Sequence, residues 1–119
     1  MEIVINEQKI PLRFSYGLIR AMSKRWGINN VEAVLNKIMT VFAAAEEDFF
    51  GAIDTVTEIV VEAAKIAGNE VDAEDVADML FADMTGVMIE VIRNFVESIP
   101  QVTPDDVEEL KKKMLSPRK

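Results

Sequence analysis

The sequence predicts a mainly α-helical fold, a compact bundle of about five to six helices behind a short N-terminal β-hairpin. Three observations carry this. From residue 15 onward the apolar residues recur three and four apart. Capping residues, Gly and Pro divide that stretch at helix-length intervals. Only the first 14 residues alternate with the period of two that a strand requires. The expected layout is residues 1–14 hairpin, 15–100 helical core, and 101–119 a C-terminal helix and basic tail.

In "MEIVINEQKIPLRF", Ile3 and Ile5 alternate with Glu2 and Val4, and Ile10, Leu12 and Phe14 alternate with Pro11 and Arg13. "NEQK" lies between the two runs as the hairpin loop. Pro11 has no N–H to donate, which suits an edge strand. A lone two-stranded ribbon is marginal in water, so it is expected to rest on the helices.

Ser15 is placed to cap a first helix through Trp26, with Leu18, Ile19, Met22 and Trp26 on one face and Arg20 and Lys24 opposite. Gly27 then supplies a left-handed stop. Asn29 and Glu32 have capping-box spacing ahead of a second helix whose stripe is Val31, Val34, Leu35, Ile38, Met39 and Phe42. "AAEEDFF" predicts a break near residues 45–48. A third, longest helix follows, with Phe49, Ile53, Val56, Val60, Ala63, Ala64 and Ala67 inward, Asp54, Glu58 and Glu62 outward, and Gly68 at its end. Gly51 weakens its first turn. Asp72 with Asp75 opens a short fourth helix to about Phe81. A fifth starts near Asp83 or Thr85, buries Met88, Val91, Ile92, Phe95 and Ile99, and stops at Pro100. Thr103 and Pro104 open a sixth, with Asp105 and Asp106 at its positive end and Lys111, Lys112 and Lys113 at its negative end.

Charge is distributed in blocks. Residues 1–45 carry six basic and three acidic side chains, a net of +3. Residues 46–109 carry eighteen acids against Lys65 and Arg93, a net of −16, and residues 110–119 return to +5. Two readings follow: solvated helix faces that happen to be acidic, or blocks that steer a partner of opposite sign, including another copy of the chain. Neither basic block forms the broad cationic surface that phosphate recognition needs, so nucleic acid is not an expected partner. No run of 18 apolar residues spans a bilayer, and no signal-peptide pattern opens the chain. The absence of cysteine leaves the redox compartment unread, and a soluble cytosolic protein is the simplest expectation.

The residue types needed for catalysis are scarce. There is no His and no Cys, no serine in a nucleophile-elbow setting and no Gly-rich phosphate loop. The acids of "DAEDVADMLFAD" fail the alternating oxygen pattern of a calcium loop, because its middle is apolar. The expectation is a non-enzyme without cofactor or metal. Seven methionines are many for 119 residues. Met79, Met84 and Met88 read either as core filler or as an adaptable docking surface. Phe50, Ile59 and Val61 lie off the centre of the third helix's stripe, where they either widen the core face or form an intermolecular one. The candidate partner-binding residues are Arg20, Lys24, Phe50, Met79, Met84 and Met88.

The order of these segments resembles the tail assembly chaperones of long-tailed bacteriophages and prophages. The resemblance rests on "EIVINEQKIPLRFSYGLIRAMSKRWG", a hairpin running into a helix that ends in an aromatic–Gly pair, and on "VEAVLNKI", "AAKIAGNEVDAEDVADML" and "VIRNFVESIP". It implies a small non-catalytic protein of the host bacterial cytoplasm that is absent from the mature virion. Such a protein binds the tape measure protein and keeps it soluble during tail tube assembly. It also implies a tail tube protein as second partner, reached through a longer, frameshifted product. "KKK" at Lys111–Lys113 is either the slippery site for such a frameshift or ordinary helix-end charge, and the nucleotides there decide between them. Self-association is a further expectation from the charge blocks, and a helical adaptor or structural component is the alternative function.

Overall fold

The computed structural model describes residues 1–83 and 86–99. The chain begins with strands β1 (Glu2–Ile5) and β2 (Gln8–Pro11), antiparallel, with Glu2 opposite Pro11, Ile3 opposite Ile10, Val4 opposite Lys9 and Ile5 opposite Gln8. Ile3 and Ile5 point into the core and Glu2 and Val4 out, the period of two read in the sequence. The loop is shorter than "NEQK". Only Asn6 and Glu7 turn, with φ of 51° and 68°, and Gln8 and Lys9 already belong to β2. Two left-handed residues form the primed turn whose twist matches that of paired strands, so pairing resumes at once. Asn tolerates this conformation; Glu does not, for its Cβ crowds the backbone. Glu7→Gly is therefore expected to stabilise the fold by about 0.5–1 kcal/mol, read from chemical denaturation.

Pro11 stands at the outer end of β2, where no N–H is needed. The Leu12 N–H donates to Met1 O at 2.8 Å and the Arg13 N–H to Ala63 O at 3.2 Å, fixing the ribbon onto the helices. Asn6 Nδ2 also donates to Asp75 at 3.4 Å.

Five helices follow among the described residues: α1 (Tyr16–Trp26), α2 (Val31–Ala43), α3 (Phe49–Ile66), α4 (Ala73–Ala82) and α5 (Gly86–Glu97). Their ends show which residues act as caps. Ser15 occupies the N-cap position of α1, but its side chain accepts no cap hydrogen bond. Gly27, at φ 68°, closes α1: its own N–H donates to Lys24 O, and the Ile28 N–H donates to Ser23 O at 2.9 Å. The cap of α2 is Asn30, whose Oδ1 accepts from the Ala33 N–H at 2.8 Å, one residue later than the Asn29–Glu32 spacing suggests. Either Asn could cap; the extended backbone at Asn30 brings its oxygen onto the free amide.

The break before α3 falls where the acids predict it, with Asp48 accepting from the Gly51 N–H at 2.9 Å. A Cβ at Gly51 would collide with the Asp48 carboxylate, so this glycine makes room for the cap. Asp83 and Gly86 repeat the arrangement at the start of α5, at 3.2 Å. Asp72 caps α4 through two amides, Glu74 N–H at 2.8 Å and Asp75 N–H at 3.3 Å. Asp72→Ala is expected to cost about 1 kcal/mol, whereas Ser15→Ala, with no cap bond to lose, stays within about 0.5 kcal/mol in the same thermal melt.

The centre of the molecule is α3. It packs against α1, α2, α4 and α5, and Ala52, Ile53, Thr55, Val56, Thr57, Ile59, Val60, Ala63 and Ala64 are all buried. The sequence reading gave it one inward stripe and left Ile59 at its edge. Ile59 is fully buried and Val61 is half-buried against the core, so of the two readings left open these residues widen the core face. A helix with neighbours on most sides buries a wider arc than an amphipathic surface helix. The other helices are amphipathic as expected: Leu18, Ile19 and Met22 on α1, Val34, Ile38 and Phe42 on α2, Val76 and Leu80 on α4, and Met88, Val91, Ile92 and Phe95 on α5. The expected stop at Pro100, the sixth helix from Thr103 and Pro104, and Lys111–Lys113 lie outside the described residues.

Candidate functional site

The cations and rings gathered in α1 divide into an inner and an outer group. The inner group faces α3. Arg25 Nη1 donates to Glu62 Oε1 at 3.0 Å, and Arg25 Nε lies 3.7 Å from Glu58 Oε1. Trp26 Nε1 donates to Glu58 Oε2 at 3.0 Å. Its ring meets Phe95 of α5 edge to face, centroids 6.4 Å apart, and Lys37 Nζ lies 5.6 Å from the Trp26 centroid. Part of the positive first block is thus neutralised by the acidic middle block within one chain. The sequence placed Glu58 and Glu62 on a solvated stripe. In the fold they are only partly exposed and hold α1 to α3.

The outer group is Tyr16, Arg20 and Lys24. All three are exposed, Tyr16 by 77%. Among the described residues Arg20 and Lys24 form no ion pair.

The remaining candidates separate by burial. Phe50, in the first turn of α3, is 73% exposed and stands as surface. Met79 is half-buried against the core on α4. Met88 is 3% exposed and fills core volume, so it offers nothing to a partner. Its i, i+3, i+4 relation to Val91 and Ile92 sets it on the inward line of α5. Met84 lies outside the described residues. Of the two described candidate methionines, Met79 is thus partly at the surface and Met88 is core.

The fold also exposes two rings that the sequence reading did not single out, Tyr16 and Phe81, the latter by 56%. Each had a signal. Tyr16 is off the Leu18–Ile19–Met22 face, and Phe81 is one residue past Leu80, which completes the inward i, i+4 pair with Val76.

Carboxylates are abundant, but many act locally. Asp48, Asp72 and Asp83 cap helices, and Glu90 and Glu97 pair with Arg93 at 2.7 and 3.7 Å. Among the described residues no group of three or more His, Cys, Asp or Glu is arranged to hold a metal ion, and no helix is long and apolar enough to cross a membrane. The described surface offers separate aromatic rings, a short cationic stripe and exposed acids. No protein-family model, curated protein or solved structure matches the chain.

Proposed function

We propose that the chain is a tail assembly chaperone of a long-tailed bacteriophage or prophage. It binds the tape measure protein in the host bacterial cytoplasm and keeps it soluble until the tail tube forms around it. It performs no chemistry and does not remain in the mature virion. The observation that carries this reading is Phe50, whose ring stands 73% exposed on the helix that otherwise organises the core. An exposed phenyl ring is unfavourable in an isolated protein and gains roughly 25 cal/mol per Å² when a client helix covers it. Half-buried Met79 supplies an adaptable type of contact. The net charge of −8 suits a protein that must keep an apolar client dispersed. The order of hairpin, Trp26–Gly27 helix and long central helix supports the same reading through its resemblance to that family.

The experiment is capture of the tape measure protein of the same phage or prophage by the purified full-length chain and by Phe50→Ser. The expected result is retention by the native chain and at least about tenfold weaker retention by the variant, which loses an exposed aromatic anchor and keeps its fold. No retention by the native chain overturns the proposal. Mass spectrometry of purified particles adds a second readout. Absence of the chain agrees with a chaperone, and its presence in stoichiometric amount points instead to a structural component.

A further inference from the structure

Three aromatic rings are exposed among the described residues, Tyr16, Phe50 and Phe81, and their surroundings differ in sign. Phe50 has Asp54 four residues on, and Phe81 has Asp78 three residues back. Side chains at these spacings share one face of a helix, so each phenyl ring stands beside a carboxylate. Both acids are exposed, and among the described residues neither has a side-chain partner. Tyr16 is the reverse case, with Arg20 and Lys24 following at four-residue steps.

Cations are scarce beside the two phenyl rings. Between Lys37 and Lys65 the sequence has six acids and no Lys or Arg, and α4 carries no cation at all. Two cations of the helices packed on α3 are engaged at its other half. Arg25 is held by Glu58 and Glu62. Lys37 lies over the Trp26 ring, which Glu58 holds in turn. Glu58 follows Phe50 by two turns of α3, about 12 Å along its axis.

A partner helix that covers either ring therefore lays its neighbouring side chains against a carboxylate. A Lys or Arg one turn from the covering apolar residue meets an opposite charge there, and a Glu or Asp meets its like.

We propose that Phe50 with Asp54, and Phe81 with Asp78, are equivalent docking points for cationic amphipathic helices of the client. Each takes an apolar residue on the ring and a Lys or Arg, one turn away, on the acid. The inference rests on the client reading and adds which segments of the client the chain selects. The ring supplies contact area and the acid supplies choice. A phenyl ring accepts any apolar helix, whereas like charge beside it repels, so selection lies with Asp54 and Asp78. Both acids are exposed, so salt screens the selection and leaves the ring contact.

The test is fluorescence anisotropy of two labelled peptides of about 18 residues, long enough to hold a helix, titrated with the purified full-length chain in about 50 mM salt. Both peptides carry one leucine stripe, flanked by lysines in the first and by glutamates in the second. The Leu/Lys peptide is expected to bind at least about tenfold tighter than the Leu/Glu peptide. D54K/D78K should weaken Leu/Lys binding at least about tenfold and strengthen Leu/Glu binding. E32K/E70K changes net charge equally, at two exposed acids with no exposed ring one turn away, and should change Leu/Lys binding less than about threefold. F50S/F81S should weaken it at least about tenfold, and Tyr16→Ser should leave it unchanged. Helical circular dichroism should stay native throughout, because every position is exposed.

Equal binding of the two peptides overturns the proposal. So does a D54K/D78K effect no larger than that of E32K/E70K, or full binding by F50S/F81S. A K111S/K112S/K113S chain that binds the Leu/Lys peptide at least about tenfold tighter than the native chain would assign the acids to its own C-terminal lysines and overturn it too. Capture of the tape measure protein separates this inference from the client reading. Retention by D54K/D78K as strong as by the native chain overturns the inference and leaves the client reading standing. No retention by the native chain overturns the client reading, and selective peptide binding would then still support the two docking points.

Discussion

Phe95→Ala is expected to remove about 3–5 kcal/mol of folding stability. Phe95 is fully buried on α5, and its ring meets Trp26 edge to face at 6.4 Å. That contact joins the last described helix to the first, and Trp26 is in turn fixed by its hydrogen bond to Glu58 of α3. Truncation removes the transfer energy of a phenyl ring and opens a cavity between helices that α3 holds in place. A domain of this size has only about 5–15 kcal/mol to lose, so the thermal midpoint should fall by roughly 10–20 °C. Phe95→Leu restores much of the volume and should cost distinctly less. Urea denaturation followed by circular dichroism checks both; a loss below about 1 kcal/mol for the alanine variant would mean that α5 is not docked as described.

The second large effect separates two apolar residues on α3 that the sequence places alike, off the centre of its stripe. Ile59 is fully buried and Phe50 is 73% exposed. Ile59→Glu places a carboxyl group at a fully buried position, a change expected to cost several kcal/mol at neutral pH and to leave most of the chain unfolded at 37 °C. The sign of its pH dependence follows from desolvation. Burial raises the folded pKa of the new carboxyl above its unfolded value of about 4.3, so the charge penalty is absent below that value and grows as pH rises through it. The variant should therefore lie nearer to the native chain in stability at about pH 4 than at pH 7. Phe50→Glu should change stability by no more than about 0.5 kcal/mol at either pH. Equal losses for the two would contradict the central placement of α3.

Among the described residues, the number and order of the helices and the amphipathic faces of α1, α2, α4 and α5 were legible because each rests on local spacing. Leu18, Ile19 and Met22, or Val91, Ile92 and Phe95, can share a face only if the chain is helical there, since a strand would turn the first two of each set to opposite sides. The misread features depend on what lies across the fold. Asn29 and Asn30 are equivalent as cap candidates until backbone geometry selects Asn30. Gly51 reads as a weak spot in a helix, yet it is the space into which the Asp48 carboxylate folds. Ile59 sits at the edge of a stripe in projection but meets other helices in the packed molecule.

The same division holds for the candidate site. Exposure of Arg20 and Lys24 follows from their position opposite Leu18 and Met22. That Arg25 is bound while Arg20 and Lys24 have no ion pair among the described residues depends on α1 lying beside the C-terminal half of α3, which no local pattern encodes. The methionines mislead for a related reason. Met packs in cores and on binding surfaces with equal ease, so composition could not tell buried Met88 from half-buried Met79.

The account holds that this chain acts by lending exposed apolar side chains to another polypeptide. The most direct measurement is the soluble fraction of the tape measure protein expressed alone, with this chain, and with its Phe50→Ser variant. The account predicts a client that is largely insoluble alone, largely soluble with the native chain, and intermediate or insoluble with the variant. A client that precipitates to the same extent in all three would contradict it.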